Sequence, residues 1–174
     1  MIEIEVKVRI DHEAVIPRLD ELGASFEGTE HHNDVYYNAP HRDFSMTDEA
    51  LRLRECNGRS YLTYKGKKMD AISKTREEIE TPVIMSDMQN ILGLLGFTES
   101  GSVRKIRQIF ECNGFTVSLD SVEGLGEFME IEIISDSNID YYRKKIFELV
   151  ELLGASSSDS IQISYLEMLL EIQK

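Results

Sequence analysis

Hydrophobic and polar residues alternate with a period of two over residues 2–10, 50–56, 61–67, 74–80, 115–120 and 128–134, which predicts strands with one buried face. The run 103–112 alternates less regularly, and 30–38 carries a weaker strand signal. At 12–22, 86–95, 138–153 and 161–172 the apolar spacing changes to three and four, which predicts amphipathic helices. Leu149, Leu152 and Leu153, and again Leu166, Leu169 and Leu170, form the stripes. Strands and helices in this mixture imply an α+β fold whose helices bury their stripes on the apolar face of a sheet.

Glu-Ile-Glu occurs at 3–5, 78–80 and 130–132. Each copy lies in a strand pattern, precedes a helix pattern and leads to a Leu-Gly stop, at Leu22-Gly23, Leu95-Gly96 and Leu153-Gly154. Glycine after an apolar stripe suits a left-handed helix C-cap. An internal duplication would produce this pattern, and so would the general frequency of strand–helix–glycine units.

The polar strand positions are mostly charged. In Ile2-Glu3-Ile4-Glu5-Val6-Lys7-Val8-Arg9-Ile10 the charges share one face and the β-branched residues the other. Arg52 and Arg54 alternate with Leu51 and Leu53, and Lys65 follows Thr63 at the same spacing. Arg76, Glu78 and Glu80 share a face, as do Lys105 and Arg107, although Arg104 has the other parity. Asp120 continues Thr116 and Ser118, and Glu130 and Glu132 alternate with Met129, Ile131 and Ile133. One such strand needs only a wet face. Across all of them, carboxylate pairs fall on the first and last strands and cations on the middle ones. Curled into a barrel, this sheet would gather the cations around one end of a cavity and the carboxylates around another. Two cations ~6 Å apart repel by about 3 kcal/mol at an effective dielectric of about 20, which a polyanion relieves. Arginine and lysine are the usual phosphate grips, and carboxylates hold Mg²⁺ or Mn²⁺ that bridge to phosphate oxygens.

Composition narrows the choice of partner. The 174 residues make one domain, 41% hydrophobic and 29% charged, with a net charge of −13. That charge argues against nucleic acid, which needs a cationic surface. Two cysteines, Cys56 and Cys112, are too few for a disulfide framework and read as packing thiols. Charge at the N-terminus where a signal peptide is apolar, and no stretch of membrane-spanning length, point to the cytoplasm.

Glu3-x-Glu5-x-Lys7, followed in order by His32-Asn33-Asp34-Val35-Tyr36-Tyr37, Asp48-Glu49-Ala50-Leu51-Arg52-Leu53-Arg54 and Tyr61-Leu62-Thr63-Tyr64-Lys65-Gly66, resembles the CYTH superfamily of triphosphate tunnel metalloenzymes. Ser73-Lys74-Thr75-Arg76-Glu77-Glu78-Ile79-Glu80 and the run from Leu119 to Glu132 extend the resemblance over nearly the whole chain, nearest the class IV adenylyl cyclase branch. The resemblance implies one CYTH-like domain over 1–174, a closed eight-stranded antiparallel β-barrel open at both ends and flanked by helices. It implies that Lys7, Arg52, Arg54, Lys65, Lys105 and Arg107 grip the phosphates, and that Glu3, Glu5, Asp120, Glu130 and Glu132 bind Mg²⁺ or Mn²⁺. Glu5, Lys7 and Glu132 are the implied catalytic residues, and Arg76 with Glu78 is a secondary pair read as a tunnel ion pair. The implied reaction is ATP to cyclic AMP and pyrophosphate. Hydrolysis of a tripolyphosphate or a nucleoside or thiamine triphosphate is the alternative, and a noncatalytic polyphosphate- or nucleotide-binding module the third.

Several features stand outside this scheme. His31, His32 and His41 fit no metal-ligand spacing and read as a solvent-facing loop. Of Tyr36 and Tyr37, adjacent on a strand, one belongs to the core. Gly124-Leu125-Gly126 reads as a hairpin turn. The last helix reads as either a core cover or the contact of a homodimer.

Overall fold

The computed structural model describes residues 2–69, 75–135 and 137–173. Its strands are β1 (Ile2–Arg9), β2 (Ser25–Asn38), β3 (Ala50–Cys56), β4 (Arg59–Lys65), β5 (Arg76–Pro82), β6 (Thr98–Cys112), β7 (Phe115–Val122) and β8 (Gly126–Ser135). Its helices are α1 (His12–Glu21), α2 (Phe44–Thr47), α3 (Met85–Leu94), α4 (Ile139–Leu152) and α5 (Tyr165–Ile172), with a 3-10 turn at Ser157–Asp159. All strand pairs are antiparallel and the sheet closes in the order β1-β5-β4-β3-β2-β6-β7-β8. Closure leaves no exposed sheet edge. The predicted eight-stranded barrel is therefore the observed one.

Exchanging strands 1–4 for 5–8 returns the same circular order. The topology thus relates two halves rather than three units: β1–α1–β2 corresponds to β5–α3–β6, whereas β8 with α4 has no counterpart after β4 among the described residues. The three Leu-Gly stops do share one cap. Leu22, Leu95 and Leu153 are the C-caps of α1, α3 and α4, and Gly23, Gly96 and Gly154 follow at positive φ. In each, the two N–H groups after the cap return to helix carbonyls, such as Ala24 N–H to Leu19 O and Gly23 N–H to Asp20 O.

The apolar strand faces point outward and are covered by helices. Ile4, Val6 and Val8 of β1 pack with Val117, Leu119, Met129 and Ile131 under Val15, Leu19, Ile146, Leu149 and Val150 of α1 and α4. Leu51 and Leu53 of β3 pack with Tyr37 and Phe44 under Leu92 of α3. These clusters fix the parity of the strands, so the charged residues between them must face inward.

Strand direction decides which connections meet. The β2–β3 connection with α2, the end of β4 and the β7–β8 turn all fall at one end of the barrel, opposite the β3–β4 and β6–β7 hairpins. The predicted helix 161–172 begins at Tyr165, where Ser164 and Glu167 form a capping box. Ile161 instead donates its N–H to the Lys7 carbonyl. Tyr165 and Met168 pack inside with Val103, Val122, Leu125 and Phe128. Gly101 allows this approach, since a Cβ there would lie 2.6 Å from Leu166 Cδ1. This end is therefore covered by α5 on its β6–β8 side rather than open. The last helix serves as cover, the first of its two readings.

Candidate functional site

Inward-facing residues of seven strands line one cavity of about 490 Å³: Glu3, Glu5 and Lys7 of β1, Asp34 and Tyr36 of β2, Arg52 and Arg54 of β3, Lys65 of β4, Arg76, Glu78 and Glu80 of β5, Lys105 and Arg107 of β6, and Glu130 and Glu132 of β8. All the predicted phosphate-gripping residues are brought together, and so are four of the five predicted metal ligands. The fifth, Asp120, has no exposed surface and sits against Arg107 and Lys105.

The β6–β7–β8 wall is a closed ion network. Arg107 donates in a fork to Asp120, from Nε to Oδ1 at 2.7 Å and from Nη2 to Oδ2 at 2.6 Å, and also reaches Glu130. Lys105 Nζ donates to Asp120 Oδ2 at 2.8 Å, and Lys7 Nζ lies 3.3 Å from Glu130 Oε1. The Tyr165 hydroxyl donates to Asp120 Oδ2 at 2.9 Å, and its ring lies under Lys7 Nζ, 3.8 Å from the centroid. Burial alone would raise the Asp120 carboxyl, but Arg107 and Lys105 outweigh it and hold it down at about 2. Burial and the neighbouring Arg107 push the Lys105 ammonium down in spite of Asp120.

The β2–β5 wall repeats the pairing in other hands. Arg54 forks onto Asp34, both contacts at 2.7 Å. Arg52 donates to Thr63 Oγ1 at 3.1 Å, and Thr63 donates to Glu80. Lys65 bridges Glu3 at 2.9 Å and Glu78 at 2.6 Å. Glu78 therefore pairs with Lys65, and with Arg52 at 3.9 Å, rather than with Arg76. Arg76 is buried, and its Nε has no hydrogen-bond acceptor among the described residues. The expected segregation of cations from carboxylates does not hold. Strands carrying opposite charges become neighbours in the closed sheet, and Lys7, Arg52, Arg54, Lys65, Lys105 and Arg107 each lie beside a carboxylate.

One group of like charges is left. Glu3, Glu5 and Glu132 each place a carboxylate oxygen within 4.8 Å of the others. Burial and the charges of Glu3, Glu5 and Glu130 raise the Glu132 carboxyl to about 8, against the pull of Arg107. Burial raises Glu3 as well, although Lys65 opposes it. Three hard oxygen donors crowded at the cost of a suppressed ionisation are the donor set a Mg²⁺ or Mn²⁺ ion takes. These residues fit a divalent ion of that kind, which Glu3, Glu5 and Glu132 could hold. Asp120 and Glu130 are engaged by Arg107, Lys105, Lys7 and Tyr165 instead, and stand outside this group.

Sequence reasoning passed over Asp34, Thr63 and Tyr165. Asp34 lies in the polar run His31-His32-Asn33-Asp34, where no hydrophobic alternation marks a face. Its even parity with Tyr36 was the available signal. Tyr165 enters only because α5 folds over the barrel end. Of the tyrosine pair, Tyr37 is in the core and Tyr36 faces the cavity. His32 is buried inside the barrel, not in a solvent-facing loop. It lies on β2, whose alternation is obscured by register shifts at Phe26/Gly28 and Tyr36/Tyr37.

A closed barrel with this inward array of basic and acidic side chains has the triphosphate tunnel architecture. The chain belongs to the CYTH family, whose domain matches residues 1–165. It is 44% identical over 172 residues to a Methanocaldococcus jannaschii protein named as a candidate adenylate cyclase, covering 97% of this chain and 98% of that one. It is 26% identical over 136 residues to the adenylate cyclase CyaB of Aeromonas hydrophila, covering 76% and 69%. Among solved structures it resembles the PH1819 protein of Pyrococcus horikoshii at 39% identity and a TM-score of 0.90, over 98% of this chain and 99% of that one.

Proposed function

We propose that this protein is a divalent-metal-dependent enzyme acting on a nucleoside triphosphate, and that it converts ATP to cyclic AMP and pyrophosphate. The single observation carrying this reading is the convergence of Lys7, Arg52, Arg54, Lys65, Arg76, Lys105 and Arg107 with the Glu3–Glu5–Glu132 group on one cavity. The paired interior is close to electrically balanced, so a triphosphate must arrive with cations of its own. The carboxylate group supplies a place for them. Tyr36, Phe44, Leu166 and Leu170 also line the cavity, an apolar and aromatic portion that suits a nucleoside and has no use for an inorganic triphosphate.

In the proposed reaction the ribose 3′-hydroxyl gives up its proton to solvent and its oxygen forms a bond to the α-phosphorus, while the bond from that phosphorus to the bridging oxygen of the β-phosphate breaks and pyrophosphate leaves. Arg54, Lys105, Arg107 and their neighbours stabilise the charge that develops on departing pyrophosphate. These side chains are held in place before substrate arrives, by Asp34 for Arg54 and by Asp120 for Lys105 and Arg107. Glu3, Glu5 and Glu132 would hold a divalent ion, which lowers the pKa of a nearby hydroxyl and neutralises phosphate oxygens. Tyr165 and Leu166 narrow the covered end of the cavity against water. Product analysis after incubation with ATP and Mg²⁺ or Mn²⁺ tests the proposal. Cyclic AMP with pyrophosphate is expected, ADP with phosphate identifies a triphosphatase using the same grip, and unchanged ATP contradicts both.

A further inference from the structure

We propose that Glu30, His32 and Cys56 form a second metal site, distinct from the carboxylate group, that takes one divalent ion of the zinc class at the end of the barrel opposite α5. The three residues each offer a ligand atom, all within 4.8 Å of one another. His32 and Cys56 are direct partners across the β2–β3 ladder, and Glu30 precedes His32 on the same strand face. The set is already assembled: His32 Nε2 lies 2.6 Å from Glu30 Oε2. His32 is 4% exposed, and its Nδ1 is buried without a hydrogen-bond partner among the described residues. A buried imidazole nitrogen left unsatisfied is uncommon and costs free energy.

One imidazole, one thiol and one carboxyl make a mixed set that suits zinc and not magnesium, which prefers oxygen donors throughout. A water molecule would complete a tetrahedron, and the Glu30 side chain, 37% exposed, gives the ion a path from solvent. Burial and the cations Arg54, Lys105 and Arg107 keep the His32 imidazole neutral, the state in which it ligates. Binding breaks the Cys56 S–H bond, sends its proton to solvent and forms a metal–thiolate bond. A thiolate and a carboxylate together cancel the charge of a divalent ion, so the nearby arginines and lysine meet no added positive charge.

The site would join the strands of the phosphate grip. Asp34 and Arg54 lie two residues along the same face from His32 and Cys56, and Arg54 is held by Asp34. A metal clasp here stiffens the ladder that presents Arg54 to the cavity.

Titration of Co²⁺ into the full-length, chelator-treated protein tests the assignment. The expected result is saturation at about one equivalent of a near-ultraviolet thiolate-to-cobalt charge-transfer band with intense tetrahedral bands in the visible. Cobalt held by Glu3, Glu5 and Glu132 gives no charge-transfer band, so the two sites are separable. The band should vanish in Cys56→Ser, weaken at least about tenfold in affinity in His32→Gln, and persist in Cys112→Ser. No band in the wild type, or an unchanged band in Cys56→Ser, overturns the proposal. Zinc-loaded wild-type protein provides a measurement free of variants. X-ray absorption should show one sulfur neighbour at about 2.3 Å, and a shell of nitrogen and oxygen alone contradicts the site.

Discussion

Asp120 and Glu132 sit on neighbouring strands of the same barrel and both face inward, Asp120 buried and Glu132 partly buried, yet their carboxyls are driven in opposite directions. Asp120 is held at about 2 by Arg107 and Lys105 and receives a third donor from Tyr165. Glu132 is raised to about 8 by burial and by the neighbouring charges of Glu3 and Glu5. The difference separates scaffold from site. Where every charge has a counter-charge, the network positions the cations proposed to grip phosphate. Where like charges are crowded, the protein keeps an unfavourable arrangement that a divalent ion would relieve.

The strongest way to break this comparison is to remove the crowded carboxylates. Glu5→Gln and Glu132→Gln should each lower metal-dependent turnover by about a thousandfold, while metal-free tripolyphosphate affinity changes only severalfold. A comparable loss of both would merge the two regions into one. On the scaffold side, Arg107→Ala removes the fork on Asp120 and one partner of Glu130, leaving Lys105 and Tyr165 on the first and Lys7 on the second, and should cost about 3 kcal/mol in urea unfolding. Adding Asp120→Asn should recover part of that loss, and strict additivity of the two changes would contradict the network.

The pH dependence sharpens the comparison further. A folded carboxyl raised above its ordinary 4.5 to about 8 contributes stability that is complete below the lower value and lost as pH rises through the upper one. In chelator, wild-type stability should therefore fall between about pH 5 and pH 8 relative to Glu132→Gln. Asp120 acts in the other direction, contributing stability above its ordinary 3.8 that is lost as pH falls through about 2. Parallel stability curves for wild type and Glu132→Gln would contradict the crowded-carboxylate reading. The smallest effect belongs to Tyr165→Phe, which removes one of several donors to Asp120 and should cost about 1 kcal/mol by denaturant titration.

Much of the barrel was legible where helices cover its outer face, over β1, β3, β7 and β8. That cover imposes strict alternation on β1, β3, β7 and β8, and the inward charges of those strands were read correctly from parity alone. The long β2–β6 ribbon was less legible, since its register shifts and the positive-φ Gly28 and Gly101 interrupt the period of two. The pairing of the charges was not legible at all. Chain order puts the cations in the middle, but closure sets β5 beside β1 and β6 beside β2, so Lys65 meets Glu3 across 62 positions of sequence. Tyr165 and the Glu30–His32–Cys56 group depend likewise on which strands and helices become neighbours, and no local pattern records that.

The most direct test of the central claim is a crystal structure with Mn²⁺ and tripolyphosphate, read by manganese anomalous scattering. The account predicts a manganese peak bounded by Glu3, Glu5 and Glu132, with the phosphates spanning the cations between Lys65 and Arg107 in the same cavity. Manganese seated on Asp120 with the Arg107 fork broken, or phosphate bound outside the barrel, would contradict it.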